Sequence, residues 1–152
     1  MAKKGKYTYC WPRPMVTVDA VVFAYFDSKP NILLIKRANE PFKGRWALPG
    51  GFVEMDENLK DAAERELAEE TNLTSVPLKQ LHTFGTPGRD PRGRQITVVY
   101  MGIAETNPDK IKAGDDAAKA EWFDIQNIPT DLAFDHNKVI KLAIRELTID
   151  RS

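Results

Sequence analysis

A mixed α/β fold is what this sequence predicts, and three observations carry that expectation. Residues 15–26 (MVTVDAVVFAYF) are β-branched, aromatic and small, the composition of a buried strand. Residues 58–71 contain no Gly or Pro and are rich in helix formers. Near the end of the chain Ile140, Ala143, Ile144 and Leu147 recur at helical spacing. Strand and helix signals are interspersed with no linker between them, so residues 1–152 read as one domain, with residues 1–14 as a lead-in.

The elements follow in order. The turn cluster Asp27-Ser28-Lys29-Pro30-Asn31 separates the first strand from a second over residues 32–36, which predicts an antiparallel hairpin. Residues 37–51 read as a loop punctuated by Pro41, Gly44, Pro49, Gly50 and Gly51. The helix over residues 58–71 takes Asp56 as its expected N-cap. Strands are expected over residues 78–84 and 94–104, on either side of the turn-rich loop 85–93. Residues 105–119 read as a polar loop, residues 120–123 as a short strand, and residues 131–147 as the closing helix.

Composition excludes several function classes. Lys+Arg and Asp+Glu both number 22, so no excess of positive charge points to nucleic acid or an anionic membrane. The strongest apolar run, residues 20–26, falls far short of the about 20 residues that span a bilayer. Lys3, Lys4 and Lys6 are not followed by the apolar stretch of a signal peptide, and the expectation is a cytoplasmic protein. The lone Cys10 excludes an internal disulfide, a zinc ribbon and CxxC redox chemistry. Phosphate-loop, GxGxxG, HExxH and GxSxG motifs are absent.

The helix over residues 58–71 breaks its own pattern. With Leu59 at zero on a wheel, Ala62, Ala63, Leu67 and Leu73 form an apolar stripe, while Lys60, Asp61, Glu64, Arg65, Ala68, Thr71 and Asn72 lie on the solvent side. Glu66 and Glu70 fall at about 340° and 20°, inside the apolar stripe, and Glu69 sits at its edge. Unpaired buried carboxylates are costly, and carboxylates within one turn repel one another. A divalent cation relieves both problems, because i, i+3 and i+4 bring hard oxygen ligands to one place. Mg²⁺ or Mn²⁺ is the expected ion, since no Cys or His cluster favours zinc. Pairing with Arg45 or Arg65 is the alternative way to satisfy the same carboxylates. Pro49-Gly50-Gly51 just upstream is a tight turn where backbone can approach a ligand and offer a main-chain carbonyl.

Together these residues resemble the Nudix box. Gly51, Glu57, Arg65, Glu66, Leu67, Glu69, Glu70 and Leu73 occupy its defined positions, and Asn72 stands where the family has Gly. Asn is the next most tolerant residue for the left-handed backbone expected there. The lead-in from Trp46 to Glu54 is similar as well, and the strand order fits the family's α/β/α sandwich with a mixed sheet. The resemblance implies metal-dependent hydrolysis of a nucleoside diphosphate joined to another group. Carried onto this chain, Glu66, Glu69 and Glu70 would hold the metal ions, assisted by the Gly50 carbonyl and Glu54. Arg65 would orient a glutamate, and Glu57 would brace the loop–helix junction. For the general base the resemblance points to the box glutamates or to an acid in a later loop: Asp115, Asp116 or Glu105.

Residues 82–94 resemble a segment of ADP-ribose pyrophosphatases, in which a proline stands at about the distance of Pro87, and the three arginines and one aspartate there suit a diphosphate and ribose hydroxyls. The Phe134-Asp135-His136 run recurs among ADP-ribose and NAD-related members. The substrate-binding residues this implies are Arg89 and Pro87, with Arg37 and Arg45 as further phosphate contacts. The expected substrate is a small-molecule nucleotide, foremost ADP-ribose, cleaved to AMP and ribose 5-phosphate. Two alternatives stand beside it: a nucleoside triphosphate or oxidised-nucleotide pyrophosphatase, and a non-catalytic sensor of ADP-ribose or NAD metabolites. Such sensors carry an added DNA-binding domain, for which the sequence to Ser152 leaves no length, and the expectation is no nucleic-acid partner. The resemblance allows a homodimer, with the aromatic segment of Tyr7, Tyr9 and Trp11 as its contact, and equally a chain in which that segment packs on its own domain.

Overall fold

The computed structural model describes residues 5–114 and 116–150. Its elements run β1 (Met15–Phe26), β2 (Lys29–Arg37), β3 (Trp46–Ala47), β4 (Gly50–Phe52), α1 (Leu59–Thr71), β5 (Lys79–Phe84), β6 (Gln95–Ile103), a 3₁₀ turn at Pro108–Lys110, β7 (Ala117–Asp124) and α2 (His136–Asp150). The hairpin forms as expected. Asp27 and Ser28, at φ 51° and 66°, make the primed two-residue turn whose twist matches that of the flanking strands.

β1 organises the seven-stranded mixed sheet. Along one edge it runs parallel to β6, from Met15 opposite Gln95 to Phe23 opposite Ile103. Along the other it is shared: Phe23 to Phe26 pair with the start of β2, and Thr17 to Asp19 pair with β4. β2 then leaves β1 and continues between β3 and β7. β5 closes the far edge against β6.

Both sheet faces are covered, which is why β1 reads as an unbroken apolar run. Val18, Ala20, Val22 and Ala24 meet Ala62, Ala63 and Leu67 of α1. Val21 and Phe23 point the other way, to Val139, Ile140, Ala143 and Leu147 of α2. The result is the α/β/α sandwich that the sequence predicted. Each fully buried leucine such as Leu67 contributes about 1.5–3 kcal/mol.

Several local readings are corrected. The segment read as a loop over residues 37–51 contains β3 and the start of β4, because Gly50 and Gly51 lie extended against β1 and do not turn. Asn58, and not Asp56, is the N-cap of α1. β7 is longer than residues 120–123 and stays paired to β2 from Asp124 back to Ala117. α2 begins at His136, well after residue 131. Leu132 bridges Trp46, the Ala133 N–H donates to the Trp46 carbonyl, and Phe134 adopts φ 52°, so this stretch is held against β3. Thr71 is fully buried, not on the solvent side. The backbone of Lys112 and Gly114 crosses the end of α1 and donates to the Thr71 and Glu70 carbonyls. Asn72 does take the left-handed conformation, at φ 64°, with its N–H on the Ala68 carbonyl.

Candidate active site

The two glutamates that the wheel placed on the apolar stripe are buried, Glu66 at 7% exposure and Glu70 at 6%. They face β4, and the glycines there have a steric reason. A Cβ on Gly51 would stand 2.5 Å from Glu66 Oε1, and one on Gly50 would overlap Asp19 Oδ1 and the Val18 carbonyl. Backbone and carboxylates approach so closely that no side chain fits between them.

Burial raises both carboxyl pKa values. For Glu66 the Arg65 guanidinium partly offsets the desolvation. Glu70 is pushed well above the usual carboxylate range, first by burial and then by the neighbouring Glu66 charge, with Asp19 adding to the effect. Glu70 Oε2 is buried with no hydrogen-bond partner. An orphaned carboxylate oxygen beside a second carboxylate is what a hard divalent cation satisfies, so the donor set fits such an ion.

Arg65 organises the rest of the cluster. Its Nε donates to Glu57 Oε2 at 3.0 Å and its Nη2 to Glu57 Oε1 at 2.7 Å. Nη1 reaches Glu66 Oε1 at 2.8 Å and Glu69 Oε2 at 3.2 Å, and Nη2 also reaches the Phe52 carbonyl at 3.1 Å. Every N–H of the guanidinium is thereby used. These bonds hold the Arg65 charge firmly in place and raise its pKa, the Glu57 hydrogen bonds most of all. Glu57 is held below the usual range by the same contact, and it accepts the Glu54 N–H at 2.9 Å. Among the described residues no three Asp, Glu, His or Cys side chains already stand together at metal-ligating spacing. Arg65 occupies one oxygen each of Glu66 and Glu69.

The loop arginines are placed unequally. Arg89 turns inward, its side chain only 4% exposed, and grips Asp135 through Nε and Nη2 at 3.0 and 2.7 Å. Arg37 is half-buried near Glu70, with Nε donating to the Pro41 carbonyl at 2.7 Å. Arg45 is exposed and lies over the Phe42 ring, and Pro87 is exposed at the tip of its loop. Of the acids considered as general base, Asp115 lies outside the described residues. Asp116 accepts from the Asn39 amide at 3.2 Å. Glu105 lies beside Tyr25 and Ser28, at the opposite end of β1 from Asp19.

His136 is a satisfied structural histidine, and sequence reasoning missed its partners Asp19 and Thr97, which form with it a buried polar chain under the site. The Leu48 N–H donates to His136 Nδ1 at 3.0 Å, His136 Nε2 stands 3.7 Å from Asp19 Oδ1, and the Thr97 hydroxyl donates to Asp19 Oδ2 at 2.6 Å. A lone acid inside the apolar run of β1 was the available signal. Arg92, in the same loop as Arg89, is paired with Asp90 and lies over Phe52 and Phe134.

Comparison with known proteins agrees with this geometry. The model of the NUDIX domain matches residues 15–143. An ADP-ribose pyrophosphatase of Methanocaldococcus jannaschii is 48% identical over 84% of this chain and 72% of its own length. An ADPR-responsive transcriptional repressor of Acinetobacter baylyi is 39% identical over 90% of this chain but only 56% of its own length. Among solved structures, the NUDIX domain of Shewanella oneidensis NrtR complexed with ADP-ribose superposes with a TM-score of 0.81 and 35% identity, covering 90% of each chain.

Proposed function

Because this chain belongs to the NUDIX domain family and is a Nudix hydrolase, we propose that the bond it cleaves is the diphosphate linkage of ADP-ribose, giving AMP and ribose 5-phosphate, with Mg²⁺ or Mn²⁺ as cofactor. The observation that carries the reading is the buried Glu66–Glu70 pair with its orphaned Glu70 oxygen. The relatives that act on or bind ADP-ribose supply the choice of substrate.

In this reading Glu66, Glu69, Glu70 and the Gly50 carbonyl hold the metal, with Glu54 assisting from the loop before α1. When bound, the metal neutralises diphosphate oxygens and lowers the pKa of water. Arg65 fixes the Glu66 and Glu69 carboxylates so that neither must reorganise as charge develops. Glu57 holds Arg65 in turn. Arg37, Arg45 and the loop of Pro87 border the substrate. Arg89 acts from beneath by tying that loop to Asp135 ahead of α2. Glu69 and Glu70 are the site's candidates for accepting the proton of the attacking water.

The test is a phosphate-release assay coupled to phosphatase, in Mg²⁺ and in Mn²⁺, with ADP-ribose, NADH, diadenosine polyphosphates, dNTPs and oxidised dGTP. A strong preference for ADP-ribose is expected. Preference for triphosphates would keep the metal site and remove the substrate assignment. The kinship to the repressor supports a second reading, an ADP-ribose sensor. Its signature would be tight ADP-ribose binding with no turnover on any substrate.

A further inference from the structure

Phe134 is held in a conformation that bulky residues avoid. Its φ is 52°, and Phe42, which packs edge-on against it at 4.8 Å, has φ 61°. Left-handed backbone is costly for a bulky L-residue, and such strain collects where function needs it. What the strain accomplishes is visible on the ring. Arg37 Cζ lies 5.1 Å and Arg92 Cζ 5.3 Å from the Phe134 centroid, and Arg92 lies 4.9 Å over Phe52 as well.

Two guanidinium groups on one ring repel each other. Burial and the Arg92 charge both depress the Arg37 pKa. The protein's own carboxylates compensate only in part. Asp90 takes Nε and Nη2 of Arg92, and the Pro41 carbonyl takes Nε of Arg37. Among the described residues no protein acceptor is bonded to either Nη of Arg37 or to Nη1 of Arg92. The pair borders the carboxylate cluster. Arg37 senses Glu70, and Phe52 follows Gly51, whose backbone lies against Glu66. Arg92 keeps 35% of its side chain exposed, so a ligand can reach it.

We propose that Arg37 and Arg92, mounted on Phe134, form a two-guanidinium clamp that takes the diphosphate of the substrate beside the carboxylate site. Planar forked donors suit phosphate oxygens, and an aromatic seat fixes their direction before the ligand arrives. The clamp rests on the reading of the site as a diphosphate hydrolase, and it adds Arg92 and Phe134 to that site.

The test is calorimetric titration of the full chain in EDTA, with inorganic pyrophosphate and with the α,β-methylene analogue of ADP-ribose as separate probes. Arg92→Ala and Arg37→Ala are each expected to weaken both probes by about 10- to 100-fold. Phe134→Leu should weaken them less, and Arg92→Lys should restore only part of the loss. Arg145→Ala, which removes an exposed charge of α2, should bind as wild type. In the Mg²⁺ assay the clamp variants should raise KM far more than they lower kcat. Unchanged pyrophosphate affinity in both arginine variants, with wild-type circular dichroism and melting, overturns the clamp. So does wild-type protein that binds neither probe. If wild type binds pyrophosphate through these arginines but ignores the ADP-ribose analogue, the clamp stands and the ADP-ribose assignment falls.

Discussion

At Glu70 the chain buries a carboxylate oxygen without a partner, next to a second buried carboxylate. An unsatisfied buried polar group costs about 1–3 kcal/mol, a cost that a bound cation would relieve. Glu70→Gln removes the charge while keeping the shape. Its metal-free melting temperature should rise, by about 2–4 °C for each kcal/mol recovered. Turnover of Glu70→Gln and of Glu66→Gln should fall by orders of magnitude, and added Mg²⁺ should stabilise wild type far more than either variant. Near-normal turnover in both would refute the assignment. Arg65 makes the complementary case. A lysine offers a point charge in place of a five-donor fork, so Arg65→Lys cannot hold Glu57, Glu66, Glu69 and the Phe52 carbonyl together. It should lower kcat sharply and cost roughly 1–3 kcal/mol in chemical denaturation. Wild-type kcat in that variant would show that the Arg65 hydrogen bonds are structural only.

At the scale of elements, α1 was the most legible part of the chain. Its wheel singled out Glu66 and Glu70 because a helix has only one face to bury, and both acids fell on it. The same wheel failed at Thr71, since it cannot know that residues 111–114 cross the helix end. β3 and β4 were hidden for a related reason. Gly50 and Gly51 read as turn residues, yet here glycine answers the close approach of Asp19 and Glu66 in an extended strand. The end of α1 makes a prediction of its own. Asn72 sits at φ 64°, where glycine has no Cβ penalty. Asn72→Gly should raise stability by up to about 1 kcal/mol and leave kcat and KM alone. A drop in stability on urea titration would mean that the Asn72 side chain contributes more than its backbone suggests.

For the whole molecule, the layers are pinned by polar contacts between residues far apart in sequence. His136 of α2 accepts from Leu48, 88 residues away, and Thr97 reaches Asp19 across 78 residues. No local pattern encodes such pairings, which is why this chain stayed invisible while the apolar layers were readable. It also gives the fold a pH dependence with a definite sign. Burial holds the His136 pKa below its ordinary 6.5, although Asp19 pulls it up, and Nδ1 is committed as an acceptor. Protonation would place a second N–H against the Leu48 N–H. As pH falls past 6.5 the unfolded chain takes up the proton and the folded one does not. This contribution is therefore complete above pH 6.5 and is lost as pH falls from there through the folded value. The raised Glu66 and Glu70 act in the opposite direction, since acid relieves their burial, so a bare melting curve mixes the two. His136→Gln separates them: its amide oxygen can accept the Leu48 N–H, but the side chain does not titrate. The variant should melt lower than wild type at pH 7.5, and the gap should narrow steadily toward pH 5.5. A gap that is the same at both pH values would show that the buried imidazole does not set the acid sensitivity of the fold.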